Sequence, residues 1–139
     1  MAEEDNKSKI EEKYMMLQLI GSQMKELEKE ISTIEEKSED MINMKSQLSN
    51  LSELKLNSKS LAPFGLGLYV ESEIKNTKQV LVNVGAGVLV KKSVGEARDL
   101  IGWQIKQTKD IAEKLTNNLA ALATRAQEIE NEAEELARE

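Results

Sequence analysis

From Ile10 onward, apolar residues recur at Leu17, Ile20, Met24, Leu27, Ile31 and Ile34, the alternating spacing of three and four that makes a coiled-coil seam. Ser38 takes the next seam place. Met41, Met44, Leu48 and Leu51 follow with one step of three where four is due, which reads as a stammer that locally overwinds the supercoil. A second seam runs unbroken through Ala97, Ile101, Ile105, Thr108, Ala112, Leu115, Leu119, Leu122, Ala126, Ile129, Ala133 and Leu136. Its start is marked by Ser93 and Glu96, an S-x-x-E capping box in which the hydroxyl satisfies a free amide of the first turn. The pattern predicts one unit over 1–139: a first helix over 9–56, a strand block over 57–92 and a second helix over 93–137. Asn57 can take the left-handed conformation that closes a helix, and Ser58, Ser60 and Pro63 follow as breakers. Gly21, inside the first helix and off the seam, reads as a tolerated surface glycine or a flexible point.

The strand block repeats itself. LAPFGLGLYVESEI, residues 61–74, lies over LVNVGAGVLVKKSV, residues 81–94, with Gly65 over Gly85 and Gly67 over Gly87. Leu68, Val70, Ser72 and Ile74 alternate with Tyr69, Glu71, Glu73 and Lys75, the period of a strand with one apolar face. Residues 75–78 are expected to turn the chain, with Asn76 accepting a positive φ, so that Val80, Val82 and Val84 return beside the preceding strand. The two Gly-x-Gly elements do not form a dinucleotide loop, which needs a third glycine and a strand leading into a helix. They are expected to be bulges or tight turns. Because Leu81, Leu89 and Tyr69 make the second face apolar too, the block is expected to pair with strand blocks of other chains into a shared sheet or barrel. The assembly residues read this way are Leu68, Tyr69, Val70, Ile74, Leu81, Val82, Val84, Val88, Leu89 and Val90. Trp103, off the seam, is expected to pack on the sheet or to join a subunit contact.

Composition narrows the functions open to such a chain. Aromatic residues are 3% and charged residues 32%, too few bulky side chains for a globular core, yet 40% hydrophobic residues are too many for a wholly disordered chain. The formal net charge of -6 disfavours a phosphate backbone as ligand. Absence of Cys and His removes disulfides, zinc sites of the usual kind and the nucleophile-histidine pairs of hydrolases. The remaining Asp and Glu are read as solvated helix faces, so neither enzyme activity nor a cofactor is expected. The acidic start lacks the apolar run of a signal peptide and no stretch is long enough for a membrane span, so a cytoplasmic chain with no membrane or nucleic-acid partner is expected.

Each seam covers about 45 residues, or roughly 65–70 Å, against a radius of gyration near 14 Å for a compact domain of this length. The two helices are therefore expected to pair antiparallel as a projecting arm, giving a helix-dominated α+β fold: a long antiparallel coiled-coil hairpin with a central two-hairpin β block that oligomerises into a β-barrel. Near the first helix's start, Tyr14, Met15, Met16, Leu17, Leu19 and Ile20 are apolar around nearly the whole circumference, more than a two-stranded seam buries. Opposite them lies the seam of Ala126, Ile129, Ala133 and Leu136, thin because alternate positions are small. An end that splays there would expose Ile129 and Leu136 with the first group, as a surface for non-native apolar segments to which flexible methionines are suited. The acidic flank of Glu128, Glu130, Glu132, Glu134, Glu135 and Glu139 reads as solvation of the terminus. A structural spacer or adaptor with one folded partner is the alternative reading.

The arrangement helix, PFGLGLYVESEIKNTKQVLVNVGAGVLVKKSVGEA, helix resembles the alpha-type subunits of archaeal prefoldin over essentially the whole chain. The paired Gly-x-Gly strand units and the Ser-x-Gly-Glu-Ala helix start carry that resemblance, and the duplicated hairpin fits the alpha rather than the beta type. The resemblance implies an ATP-independent chaperone, a holdase. It further implies a hexamer of two alpha and four beta-type subunits, arms that hold unfolded proteins at their tips, and delivery to a group II chaperonin.

Overall fold

The computed structural model describes residues 2–138; Glu139, the last of the acidic flank, lies outside the described residues. Element order is α1 (Ala2–Leu51), β1 (Ser58–Gly65), β2 (Leu68–Ile74), β3 (Gln79–Asn83), β4 (Leu89–Ser93) and α2 (Val94–Arg138). The fold is helix-dominated α+β. It divides into two compact units, one made of residues 1–37 and 108–139, the other of residues 38–107.

In the first unit two helical segments run antiparallel. Lys13 of α1 bonds Glu132 of α2, while farther along α1 Gln23, Glu26, Leu27 and Glu30 share a cleft with Asn118, Ala121 and Leu122. Every seam residue expected on α2 within this unit, from Thr108 to Leu136, is buried or half-buried, as are Leu17, Ile20, Met24, Leu27, Ile31 and Ile34 on α1. Ile129 is fully buried. Gly21 is helical, and a methyl group there would meet nothing within 4 Å. Alanine removes backbone freedom from the unfolded chain at no steric cost, so Gly21→Ala is expected to stabilise the helix by about 1 kcal/mol, read as a raised thermal midpoint by circular dichroism.

In the second unit the α1 seam continues without the expected stammer. Ser38 is buried, Met41 half-buried, and the next inward position is Lys45, whereas Met44 is exposed. The seam thus keeps its alternation because the Lys45 stem reaches across α2, where its Nζ lies 3.1 Å from where a Cβ on Gly102 would sit. An aliphatic stem buried under a charged head explains why hydropathy picked the neighbouring methionine. Trp103, next to Gly102, points outward at 57% exposure rather than packing on the sheet. α1 also begins earlier than expected and ends at Leu51. The turn after it has Glu53 and Leu54 donating to the Asn50 and Leu51 carbonyls. Asn57 takes the left-handed conformation, φ 66°, and donates its N–H to the Ile74 carbonyl at 2.7 Å, tying the turn to β2.

The strands form two separate antiparallel hairpins, β1–β2 and β3–β4. Residues 75–78 therefore connect the hairpins and do not return β3 along β2. The physical cause is in the Gly-x-Gly elements. Gly65, Leu66 and Gly67 have φ of 123°, 51° and 79°, and Gly85, Ala86 and Gly87 have 119°, 51° and 75°. Three consecutive left-handed residues reverse the chain at once, so each repeat closes on itself. Asn76 helps the connector by a different route from the one expected, since its Oδ1 accepts the Lys78 and Gln79 amides at 2.9 and 3.0 Å as an Asx turn. In the first hairpin the register shifts between Pro63 and Gly65, with Ala62 opposite Val70; in the second, Val82 faces Val90. Ser93, the last residue of β4, also caps α2, its Oγ accepting the Glu96 amide at 3.1 Å. Val94 and Ala97 are buried behind it.

Candidate functional site

Among the described residues, large exposed apolar side chains gather on two surfaces in particular. The first lies in the helical unit. Tyr14, Met15, Met16 and Leu19 are exposed, Leu17 and Leu136 are half-buried, and Ile20 and Ile129 lie inside the seam. Helical geometry produces this division: positions 17 and 20 face α2, while 14, 15, 16 and 19 occupy the rest of the same turns. Ile20 and Ile129 reach solvent only if the helices part.

A small ionic cluster closes the helices beside this surface. Lys13 occupies the seam place between Ile10 and Leu17, and its Nζ donates to Glu132 Oε2 at 2.6 Å. Arg125 lies 3.2 Å from Glu128 Oε2 and 3.7 Å from Glu132 Oε1. The Lys13 hydrogen bond, and after it the Lys13 charge, hold the Glu132 carboxyl below its ordinary value of 4.5, with a smaller contribution from Arg125. Because the folded form keeps this carboxylate ionised, the contribution is complete above the ordinary value and is lost as pH falls through the lowered one. Thermal melts between neutral and acid pH are expected to show wild type above Glu132→Gln at neutrality and level with it at the acid end. Both side chains are partly solvated, so salt weakens the pair.

The second surface is on the hairpins. Of the assembly residues expected from the sequence, Leu68, Tyr69, Val70, Leu81, Val84, Val88, Leu89 and Val90 are exposed, and Ile74 and Val82 are half-buried. Leu61, Phe64 and Leu66 of the first hairpin, not among the residues expected from the sequence, are exposed as well. Phe64 falls at the register shift, and Leu66 stands at the first hairpin's tip, fully exposed. A bulky residue between two glycines at a strained turn was the available signal. Beneath the second hairpin an apolar cleft of about 350 Å³ is lined by Met44, Leu48, Val80, Val82, Leu100 and Ile101, among others.

Heptad-paired helices joined through two open β-hairpins define a coiled-coil class in which strands as well as helices carry uncovered apolar surface. The chain belongs to the prefoldin family, whose subunit profile matches residues 20–139. It is similar to the prefoldin subunit alpha of Archaeoglobus fulgidus, 26% identical over 127 residues that cover 91% of this chain and 93% of that one. That of Thermofilum pendens is 27% identical, covering 91% and 95%. The subunit alpha of Methanobrevibacter smithii reaches 35% over 78 residues, 56% of this chain and 53% of its own. In fold the chain is similar to filamentous PFD from Methanocaldococcus jannaschii, solved by cryo-EM, with a TM-score of 0.77 at 21% identity over 86% of this chain and 98% of that one. Among the described residues no helix is long and apolar enough to cross a membrane.

Proposed function

We propose that this chain is the alpha-type subunit of an ATP-independent holdase that captures unfolded polypeptide on Tyr14, Met15, Met16 and Leu19 and passes it to a group II chaperonin. The observation that carries the reading is a cluster of large apolar side chains left exposed directly beside a well-packed seam, where folding of the chain alone gives them nothing to cover. Capture needs no chemistry: many weak apolar contacts hold a segment, and methionine side chains adapt to its shape. Several such surfaces in one assembly would raise the effective concentration of each for a client already held by another.

Assembly is assigned to the hairpins. A two-stranded hairpin alone is marginal in water and leaves both of its edges unpaired. Pairing with the strands of beta-type subunits, in a hexamer of two alpha and four beta chains, would satisfy those edges and bury Leu68, Val70, Leu89 and their neighbours. Aggregation of a denatured protein, followed by light scattering with the assembled complex, tests the reading. Met15→Ser/Met16→Ser/Leu19→Ser is expected to lose most of the suppression, severalfold in the amount of complex required, while assembly persists. Unchanged suppression with intact assembly would refute the capture surface, and protection of a single folded partner alone would favour the spacer reading.

A further inference from the structure

Sulfur in this chain is confined to methionine, since there is no Cys. The methionines among the described residues fall into three groups. Met15 and Met16 stand 69% and 40% exposed on the surface assigned to capture, Met24 and Met41 are half-buried on the α1 seam, and Met44 is exposed in the other compact unit. Beside the capture surface the helices are held together by Leu17, Ile20, Ile129 and the bond from Lys13 to Glu132, none of which contains sulfur, and α2 has no methionine. An oxygen atom added to Met15 or Met16 therefore alters the exposed surface and not the packing beneath it.

We propose, resting on the capture reading, that Met15 and Met16 are modification sites at which hydrogen peroxide lowers the surface's hold on unfolded chains. The thioether sulfur attacks one peroxide oxygen, a sulfur–oxygen bond forms as the oxygen–oxygen bond breaks, and the proton on the transferred oxygen passes to the departing hydroxide. Methionine is thereby oxidised by two electrons to its sulfoxide and the peroxide is reduced to water. Reaction follows exposure, so Met15 and Met16 take up oxygen ahead of Met24 and Met41. In the free chain the new oxygen is hydrated and the fold keeps its stability. Under a bound apolar segment the same oxygen loses its water with no donor to replace it, and capture weakens.

The test uses the full chain assembled with its partner subunits, treated with hydrogen peroxide and freed of it before a denatured client is added. Mass spectrometry of peptides reads the oxidised positions, circular dichroism the helices and light scattering the suppression of aggregation, each complex being compared with itself before and after treatment. Once Met15 and Met16 carry oxygen, wild type is expected to need about fivefold or more complex for equal suppression, with its helical signal unchanged. Met15→Leu/Met16→Leu offers no sulfur at these places and is expected to change less than about twofold, while Met44→Leu loses as much as wild type. Methionines of the partner subunits are common to all three complexes, so the difference belongs to this chain. Unchanged suppression by wild type oxidised at Met15 and Met16, an equal loss in Met15→Leu/Met16→Leu, or protection by Met44→Leu overturns the proposal and leaves capture standing. Sulfoxide at Met24 or Met41 ahead of Met15 and Met16, or a loss that comes with melting of the helices, overturns it as well, because the damage then lies in the seam. If untreated Met15→Ser/Met16→Ser/Leu19→Ser suppresses as well as untreated wild type, the capture reading and this proposal fall together.

Discussion

A Leu68→Asp/Val70→Asp/Leu89→Asp chain is expected to remain outside the complex when mixed with partner subunits, while keeping its helical circular dichroism. The three side chains are exposed in the folded chain, so their replacement removes nothing from its interior. In an assembled sheet each would be buried, at about 1.5–3 kcal/mol per side chain, and each aspartate would bring a desolvation cost in addition. Loss of even 4 kcal/mol is about a thousandfold in affinity, enough to abolish co-elution at micromolar concentration. The measurement is mass by light scattering on the eluted species. A variant that still co-elutes at full mass would show that the hairpins do not carry assembly. Loss of helical signal would show that they support the chain's own fold.

Ile129→Ala and Ile111→Ala are expected to differ widely although they make the same change on the same helix. Ile129 is fully buried and is flanked on its seam by Ala126 and Ala133, which are too small to close a cavity left behind. Its truncation is expected to cost on the order of 2–4 kcal/mol. Ile111 is 50% exposed beside the seam residue Ala112, and its truncation should stay within about 1 kcal/mol. Denaturant melts of the two variants decide the matter. Equal midpoints would mean that the helices are already parted near Ile129, in which case Ile129 and Ile20 join the open surface without any opening step.

The helical part of the chain was legible because a seam is a one-dimensional property. Every expected position on α2 is turned inward, since burial there needs only a partner helix of the same period. The single lapse on α1 came from chemistry, not period. Lys45 hides a four-carbon stem against Gly102 while hydropathy counts only its charge, so Met44 looked like the better seam residue. Of the two readings of Trp103, packing on the sheet fails because Gly102 takes the inward position and lets Lys45 cross, while exposure of the ring is what a subunit contact requires.

The strands were readable as strands but not as a sheet. Alternation says which residues share a face and is silent on which strand lies alongside. Residues 75–78 carry turn-forming residues and looked like a hairpin loop, yet the pairing was decided by the consecutive left-handed residues at 65–67 and 85–87, which reverse the chain inside each repeat. The open surfaces divide in the same way. The crowding of apolar residues from Tyr14 to Ile20 was visible in the order of residues alone.

What the residue order determined by itself is whatever depends on local period and local chemistry: two helices, their seams, the capped start of α2, the duplicated strand unit and the absence of Cys and His. The tertiary structure decided which members of the crowded stretch stay open, because exposure depends on where the partner helix passes and not on a residue's own hydropathy. It put Leu17, Ile20 and Ile129 inward, left Tyr14, Met15, Met16 and Leu19 outside, and placed Lys13 on Glu132 across 119 positions of chain. Contacts over such distances follow from packing two helices in one register, a choice that no local stretch of residues contains.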